Sequence, residues 1–421
     1  MSFTVRYIYS ACVVIETPDV RILCDPWFTQ GIYDGSWFQY PRIADPVEVI
    51  GPVDIVFISH IHPDHYDPKF LHAYLARYPG TRVIISSKGS PHLGLKMKID
   101  RITAEAVEDL QVGATRLTVV PNGAYDVNID TALVVSHGTH SVVNMNDNPF
   151  DEAQIERVLA ACPDGRPSFA LLPYAGAGPY PQTFAFPSPE KLREAADRKR
   201  RQFLDLFRRY TARLNPVRCM PFAGKYFLGG SLASLNPHRG VPDAVEALAE
   251  DARALLLADG GHARYDLETR EASAVRTERY DPAALELFLR ELGSASFEYE
   301  KELDFSHRSG LPFVPLLMAA REKARRKVKI AEPYWLCIQP TGSSTYFVFN
   351  VAGEEPVAVR ASLDESVTPR AEIQIDPRYL FGLLTRLYHW NNAEIGSHYR
   401  TRRVPDVFIR QVYDFLDMLQ V

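Results

Sequence analysis

Cysteine is scarce and scattered in this 421-residue chain: Cys12, Cys24, Cys162, Cys219 and Cys337 form no C-x-x-C pair, and their number is odd. A zinc ribbon or a disulfide framework is therefore not expected, and a reducing compartment fits. Basic excess is also missing. The formal net charge of −5 gives no overall positive field, so nothing global points to nucleic acid. No apolar stretch is long enough to span a bilayer, and Met1 to Arg6 run straight into strand-like sequence without an apolar signal core. The expectation is a cytoplasmic protein without a membrane span. Internal repeats and low-complexity runs are lacking as well, which excludes solenoids and fibrous folds. What remains is an ordinary globular balance, 46% hydrophobic and 24% charged, in a chain long enough for two domains.

The first part of the chain reads as short strands interrupted by single helices. Val5–Tyr9, Val13–Glu16, Arg21–Cys24 and the buried-type run Val53–Ile58 are rich in β-branched residues. Lys69–Tyr78 has helical spacing and stops at Pro79-Gly80. Arg82–Ser86, Arg116–Val120, Thr131–Val135 and Ser141–Asn144 follow as strands. Asp151–Ala161 is read as a helix and Ser168–Leu172 as a strand. Ser188-Pro189 then opens a long helix as N-cap and first residue, ended by Asn215-Pro216. Within that helix Arg198-Lys199-Arg200-Arg201 reads as either an anionic-ligand patch or a solvated face, and its acidic neighbours favour the latter.

Composition shifts around Asp259-Gly260-Gly261, so the chain divides into residues 1–262 and 263–421. The second part is read as an α+β accessory domain. It holds a helix from Asp281-Pro282 to Leu292, a basic stretch Arg321–Lys329, strands at Tyr334–Gln339, Thr345–Val351, Val357–Ala361 and Ala371–Ile375, and a helix from Asp376-Pro377. Covering the first domain, binding an apolar group or forming a homodimer surface are its three expected roles.

The chemistry concentrates at His60-Ile61-His62-Pro63-Asp64-His65. A strand that ends in four ligand-type residues within six positions aims several donors at one small volume. Alternation puts His60 and His62 on one side, where both imidazoles can reach one metal, while Asp64 and His65 project from the following turn towards a second. Two metals close together can activate water and polarise a substrate oxygen. A merely solvated histidine-rich loop matches this density of ligands poorly.

This H-x-H-x-D-H segment resembles the metallo-β-lactamase superfamily over roughly residues 1 to 240. The resemblance implies an α+β fold of the αββα sandwich type with the site at the sheet edges, and further ligands downstream. Ser141 to Asp147 is a strand ending in Asn-Asp, which makes Asp147 the implied bridging ligand. Where many relatives place a third histidine, four residues before an Asp-Ser or Asp-Thr pair, this chain has Asp126 before Asp130-Thr131. Asp126 is the expected third ligand and Asp130 the fallback, with capping or turn roles as the alternative for both. A carboxylate there shifts preference from zinc towards iron or manganese. The last ligand is expected at His238, a loop histidine that is otherwise an ordinary surface residue.

The segments Asn128–Val135, Gly178–Phe184 and Pro221–Gly224 look like the metallo-β-lactamase-like part of the CMP-N-acetylneuraminate hydroxylase family. That family also carries a Rieske centre with C-x-H and C-x-x-H ligands, and no cysteine here has a histidine two or three residues on. The segment Arg21–Phe28 and the aromatics Tyr33, Trp37, Phe38 and Tyr40 are expected to wall the site, with core packing as the alternative for the aromatics. Tyr180, Lys225 and Tyr226 stand near the expected mouth, as oxyanion donors or as plain loop residues.

The leading expectation is a dinuclear metal-dependent hydrolase. It would use a metal-bound hydroxide on an ester, thioester, lactone, amide or phosphoester of a small molecule, with Asp64 orienting the nucleophile. The alternative is a non-haem di-iron oxygenase, and a third is a binding protein with a structural metal. Two divalent ions, iron, zinc or manganese, are the implied cofactors.

Overall fold

The computed structural model describes residues 2–88, 90–122, 130–147, 149–257, 262–266, 272–275, 282–303 and 311–421. Two sheets face each other in the first part of the chain. The larger has eight strands in the spatial order Ala272–Val275, His262–Asp266, Ser2–Tyr9, Cys12–Glu16, Arg21–Cys24, Ile55–Phe57, Arg82–Ser86 and Glu105–Val107. The smaller has six, from Arg218–Phe222 through Phe169–Pro173, His140–Asn144, Thr131–His137 and Thr115–Pro121 to Asp109–Val112.

Alternation along the strands decides what each face covers. Val5, Val13, Ile15, Ile22 and Phe57 from the first sheet meet Leu117, Val119, Leu133, Val135 and Leu171 from the second in one buried layer. The opposite faces take helices. Phe70, Leu71 and Tyr74 of the helix Pro68–Arg77 and Leu93 and Met97 of His92–Ile99 cover Val14, Leu23 and Val56. Ile155 and Val158 of Glu152–Ala161 and Phe207, Tyr210 and Leu214 of Pro189–Leu214 cover Val134, Val143 and Ala170. Helix, sheet, sheet and helix are stacked as the αββα resemblance implies. Local signals hold the ends: Asp67 caps Pro68–Arg77, and Asp151 with Gln154 forms a capping box on Glu152–Ala161.

The division expected between residues 262 and 263 falls inside a strand. His262–Asp266 pairs antiparallel with Ser2–Arg6, and Ala272–Val275 pairs with it in turn. The first sheet therefore draws its last two strands from beyond the expected boundary. His-Ala-Arg-Tyr-Asp is an edge-side run without apolar alternation, so its pairing depends on the chain terminus it lies against. A separate core begins further on, around a five-stranded sheet in the order Ala358–Arg360, Tyr346–Asn350, Trp335–Pro340, Arg370–Ile375 and Tyr399–Val404. Leu317, Leu336, Ile338, Phe349, Ile373, Leu380, Leu383 and Phe415 fill it. The basic stretch Arg321–Lys329 overlaps the end of a helix, Phe313–Lys327, whose inner face carries Leu317, Ala320 and Ala324.

Candidate metal centre

Three parallel strands, Arg21–Cys24, Ile55–Phe57 and Arg82–Ser86, lie side by side, and their C-terminal ends open onto the site. Ile55–Phe57 leads through Ile58 and Ser59 into the histidine segment. His60 and His65 are buried to 1% exposure, Asp64 is buried and His62 half-buried. His60 Nε2 and His62 Nδ1 stand 2.9 Å apart, and His65 Nε2 lies 3.4 Å from Asp64 Oδ2 and 3.5 Å from Asp147 Oδ1. His60, His65 and Asp147 each offer a ligand atom within 4.8 Å of the other two. Asp130 approaches from the strand Thr131–His137, its Oδ1 3.8 Å from His60 Nε2.

Charges in the cluster favour a cation at its centre. Burial opposes a charge on every member. It pulls the His60 imidazole well below its ordinary value, with the neighbouring His65 adding to the effect. At His65, Asp147 and Asp64 outweigh burial and lift the imidazole well above its ordinary range. At Asp147 the three imidazoles outweigh burial in the other direction and hold the carboxyl ionised. Asp130, half-buried beside Asp147, is pushed up to about 7 by loss of solvent and by the Asp147 charge. A positive charge is thus held where His65 meets Asp64 and Asp147. Two imidazoles and a carboxylate whose Oδ1 is buried without a hydrogen bond fit a divalent metal.

Residues that carry no sequence motif fix this geometry. Asp25, fully buried directly after Arg21–Cys24, accepts from the Ser59 backbone N–H at 2.7 Å and faces His65 Nδ1 at 3.2 Å. A carboxylate behind the distal ring nitrogen sets the tautomer and orientation of a metal-ligating histidine. The Ser59 hydroxyl sits 2.9 Å from His60 Nδ1, and Thr131 Oγ1 donates to the Ser59 carbonyl. The sequence places Asp25 only within the expected wall segment Arg21–Phe28; its contact with Ser59 follows from register, because Cys24 pairs with Phe57 and the next residues lie side by side.

Tyr33 holds Asp64 from the other side, donating its hydroxyl to Oδ1 at 2.6 Å. It stands in a left-handed turn in which Gly31, Tyr33, Asp34 and Gly35 all have φ between 51° and 100°. Such a conformation costs on the order of 1–3 kcal/mol at each non-glycine residue and persists only when its surroundings enforce it. Here the second part of the chain does so. His398 Nε2 meets the Tyr33 carbonyl at 2.7 Å, and Tyr379 donates to Asp34 at 2.5 Å. Gly35 lies so close to Phe297 that a Cβ would come 2.8 Å from its Cα. Asn391, on the helix Trp390–Ile395, hydrogen-bonds with His62. The helix Trp390–Ile395 thus reaches a candidate ligand.

The remaining expected residues are distributed as follows. Asp126 lies outside the described residues. His238 closes a 3-10 helix, Gly230–His238, half-buried and outside the ligand group, because the turn buries its neighbour Arg239 instead. Tyr226 is buried and stacked on Trp37, with centroids 3.4 Å apart. Lys225 Nζ lies 5.3 Å over the Tyr9 ring. Tyr180 packs on Phe184 and Phe186, and its carbonyl accepts from Lys199 at 2.6 Å. Lys199 was expected on a solvated face but is half-buried.

Residues 4–162 match the β-lactamase superfamily domain model. With its facing sheets, outer helices and strand-end histidine cluster, this part of the chain resembles that superfamily domain and has the metallo-β-lactamase αββα fold. Over 244 residues the chain is 29% identical to a Mycolicibacterium smegmatis protein whose name carries the words Rieske 2Fe-2S iron-sulfur protein; the match covers 54% of this chain and 45% of that one. It is 24% identical over 245 residues to the cytidine monophosphate-N-acetylneuraminic acid hydroxylase of Mus musculus, covering 53% and 39%. The chain thus spans less than half the length of these curated relatives. Among solved structures, Igni18, a metallo hydrolase from Ignicoccus hospitalis, aligns with a TM-score of 0.45 at 13% identity, covering 64% of this chain and all of that one. Among the described residues no helix is long and apolar enough to cross a membrane.

Proposed function

We propose that the chain is a metal-dependent hydrolase acting on an ester, thioester, lactone, amide or phosphoester of a small molecule. The observation that carries this reading is the convergence of His60, His65 and Asp147 ligand atoms within 4.8 Å, with Asp64 3.4 Å from His65. We assign His60, His62, His65, Asp64 and Asp147 as metal-holding residues and Asp130 as the carboxylate beside them. Bound divalent metal would supply Lewis acidity towards the substrate oxygen and towards water.

The protein's own groups have separate tasks in this scheme. Asp64, held by the Tyr33 hydroxyl, orients the attacking water through its remaining oxygen. Asp25 keeps His65 in the tautomer that presents Nε2 to the centre. Trp37, Tyr33 and Tyr226 form an aromatic wall that limits water on one side. Hydrolysis needs no electron supply. The five cysteines of the chain are buried in the structure, and none has the histidine spacing of a Rieske ligand.

A second reading, a di-iron oxygenase, draws on Asp130, because a carboxylate-rich donor set suits iron or manganese. One experiment separates the two. Protein purified without added metal is assayed for its metal content, for cleavage of a panel of chromogenic esters, thioesters and phosphoesters, and for oxygen uptake with an external reductant. Metal-dependent cleavage without oxygen uptake supports the hydrolase. Oxygen uptake coupled to substrate loss, with no cleavage, overturns it.

A further inference from the structure

Tyr226 joins the metal centre to a group of hydrogen-bond donors that have too few acceptors. The strand Phe227–Leu228 pairs with Trp37–Phe38, which lays Trp37 flat on the Tyr226 ring, with planes 5° apart. Trp37 in turn packs on Tyr33 at 4.6 Å, the residue that holds Asp64, and the Asp64 charge reaches the Tyr226 hydroxyl. One face of Tyr226 is therefore taken. The Arg239 guanidinium lies 4.2 Å over the ring and so occupies the other.

Arg239 and Lys199 are brought together by a close backbone approach. Gly240 has φ of 65°, and a Cβ there would come 2.7 Å from the Ala196 carbonyl and 3.0 Å from Lys199 Cβ. Only glycine lets the chain after Arg239 rest on the long helix at this point. Two cations then share a semi-buried corner. Burial, with Arg239 adding to it, pulls the Lys199 ammonium down to about 7.

The donors outnumber what receives them. Arg239 is 9% exposed, its Nη1 is buried without an acceptor, its Nε reaches the Asn236 carbonyl at 3.4 Å, and the guanidinium also hydrogen-bonds the Tyr226 hydroxyl. Trp37 Nε1 is likewise buried without an acceptor. Lys199, with three donors, has the Tyr180 carbonyl. Among the described residues neither cation has a carboxylate partner, whereas the buried Arg370 pairs with Glu372. Each buried donor left unsatisfied costs about 1–3 kcal/mol. A cation–π clamp accounts for the ring contact but not for the empty Nη1 or for the second cation.

We propose that Arg239 and Lys199 form an oxyanion subsite beside Tyr226, suited to a phosphate group of the substrate. A guanidinium fork and an ammonium together match a dianion better than a singly charged carboxylate. The assignment rests on the metal-dependent reading only for where the reacting bond lies; anion binding itself needs no metal.

The test is calorimetric titration of inorganic phosphate, and separately of acetate, into chelator-treated full-length protein. Wild type is compared with Arg239→Gln and Lys199→Gln, with folding verified by circular dichroism. Lys199 is half-buried, so its variant is informative if Arg239→Gln is unstable. We expect phosphate to bind better than acetate and to weaken about tenfold or more in each folded variant. Equal binding of acetate and phosphate, unchanged phosphate affinity in Lys199→Gln, or no phosphate binding at millimolar concentration overturns the subsite. Metal content measured on the untreated protein reports on the metal reading separately, so that either can fail alone.

Discussion

Asp25→Asn separates the charge behind His65 from the shape of the site. Asp25 has φ of 44°, a left-handed conformation that asparagine also tolerates, so backbone strain is matched. The amide oxygen can still accept from the Ser59 N–H, which Asp25 now binds at 2.7 Å. The other contact changes sign. When His65 presents Nε2 to a metal its Nδ1 carries the proton, and an amide NH2 would then face an N–H across the present 3.2 Å. Loss of such a carboxylate typically costs 10–100-fold in metal affinity, or about 1.4–2.7 kcal/mol. A charge-assisted hydrogen bond contributes about 1.5–3 kcal/mol to stability, so the metal-free fold should weaken by a similar amount. Asp25→Ala should do worse, because it also strands the buried Ser59 N–H. Competition titration against a chromogenic zinc chelator measures the affinity. If Asp25→Asn binds zinc within about twofold of wild type, Asp25 does not orient His65 for a metal, and the assignment of that ring fails.

Three further outcomes are expected. Tyr33→Phe removes the donor to Asp64 and should lower stability in urea by about 1–3 kcal/mol; an unchanged midpoint would mean that the bond contributes nothing. Glu394 is pushed up to about 7 by burial and by Asp417, so the fold keeps its full stability below the unfolded value near 4.5, loses it as pH rises from there to about 7, and carries the whole penalty above that. Glu394→Gln should therefore match wild type at low pH and exceed it by on the order of 2–4 kcal/mol above neutrality, and equal melting temperatures in alkaline buffer would contradict this. Asp130→His should shift metal occupancy from iron or manganese towards zinc, and unaltered metal content would remove Asp130 from the coordination sphere.

Much of this architecture is legible where the signal is local. Strand Arg82–Ser86 has the residues its β-branched run predicts, and Pro68–Arg77 begins at its Asp-Pro cap. The histidine segment is legible because its spacing is its chemistry. Pairing between distant segments is not legible in the same way. Asp25 gains its role from lying beside Ser59 in a parallel sheet, and nothing around Cys24-Asp25-Pro26 states that neighbour. The strands His262–Asp266 and Tyr399–Val404 are polar runs at or near sheet edges, where alternation fades and the partner supplies the order. The left-handed turn at Tyr33 and the burial of Lys199 also depend on contacts tens to hundreds of residues away, with His398 in one case and with Gly240 in the other.

The most direct test of the metal centre is anomalous scattering from crystals of protein loaded with a single divalent metal. The account predicts a cation within about 2.5 Å of ligand atoms of His60, His65 and Asp147, with Asp64 or Asp130 in contact with it or with a second ion. A strongly bound cation elsewhere, with these three residues making only the contacts they make to one another now, would contradict it.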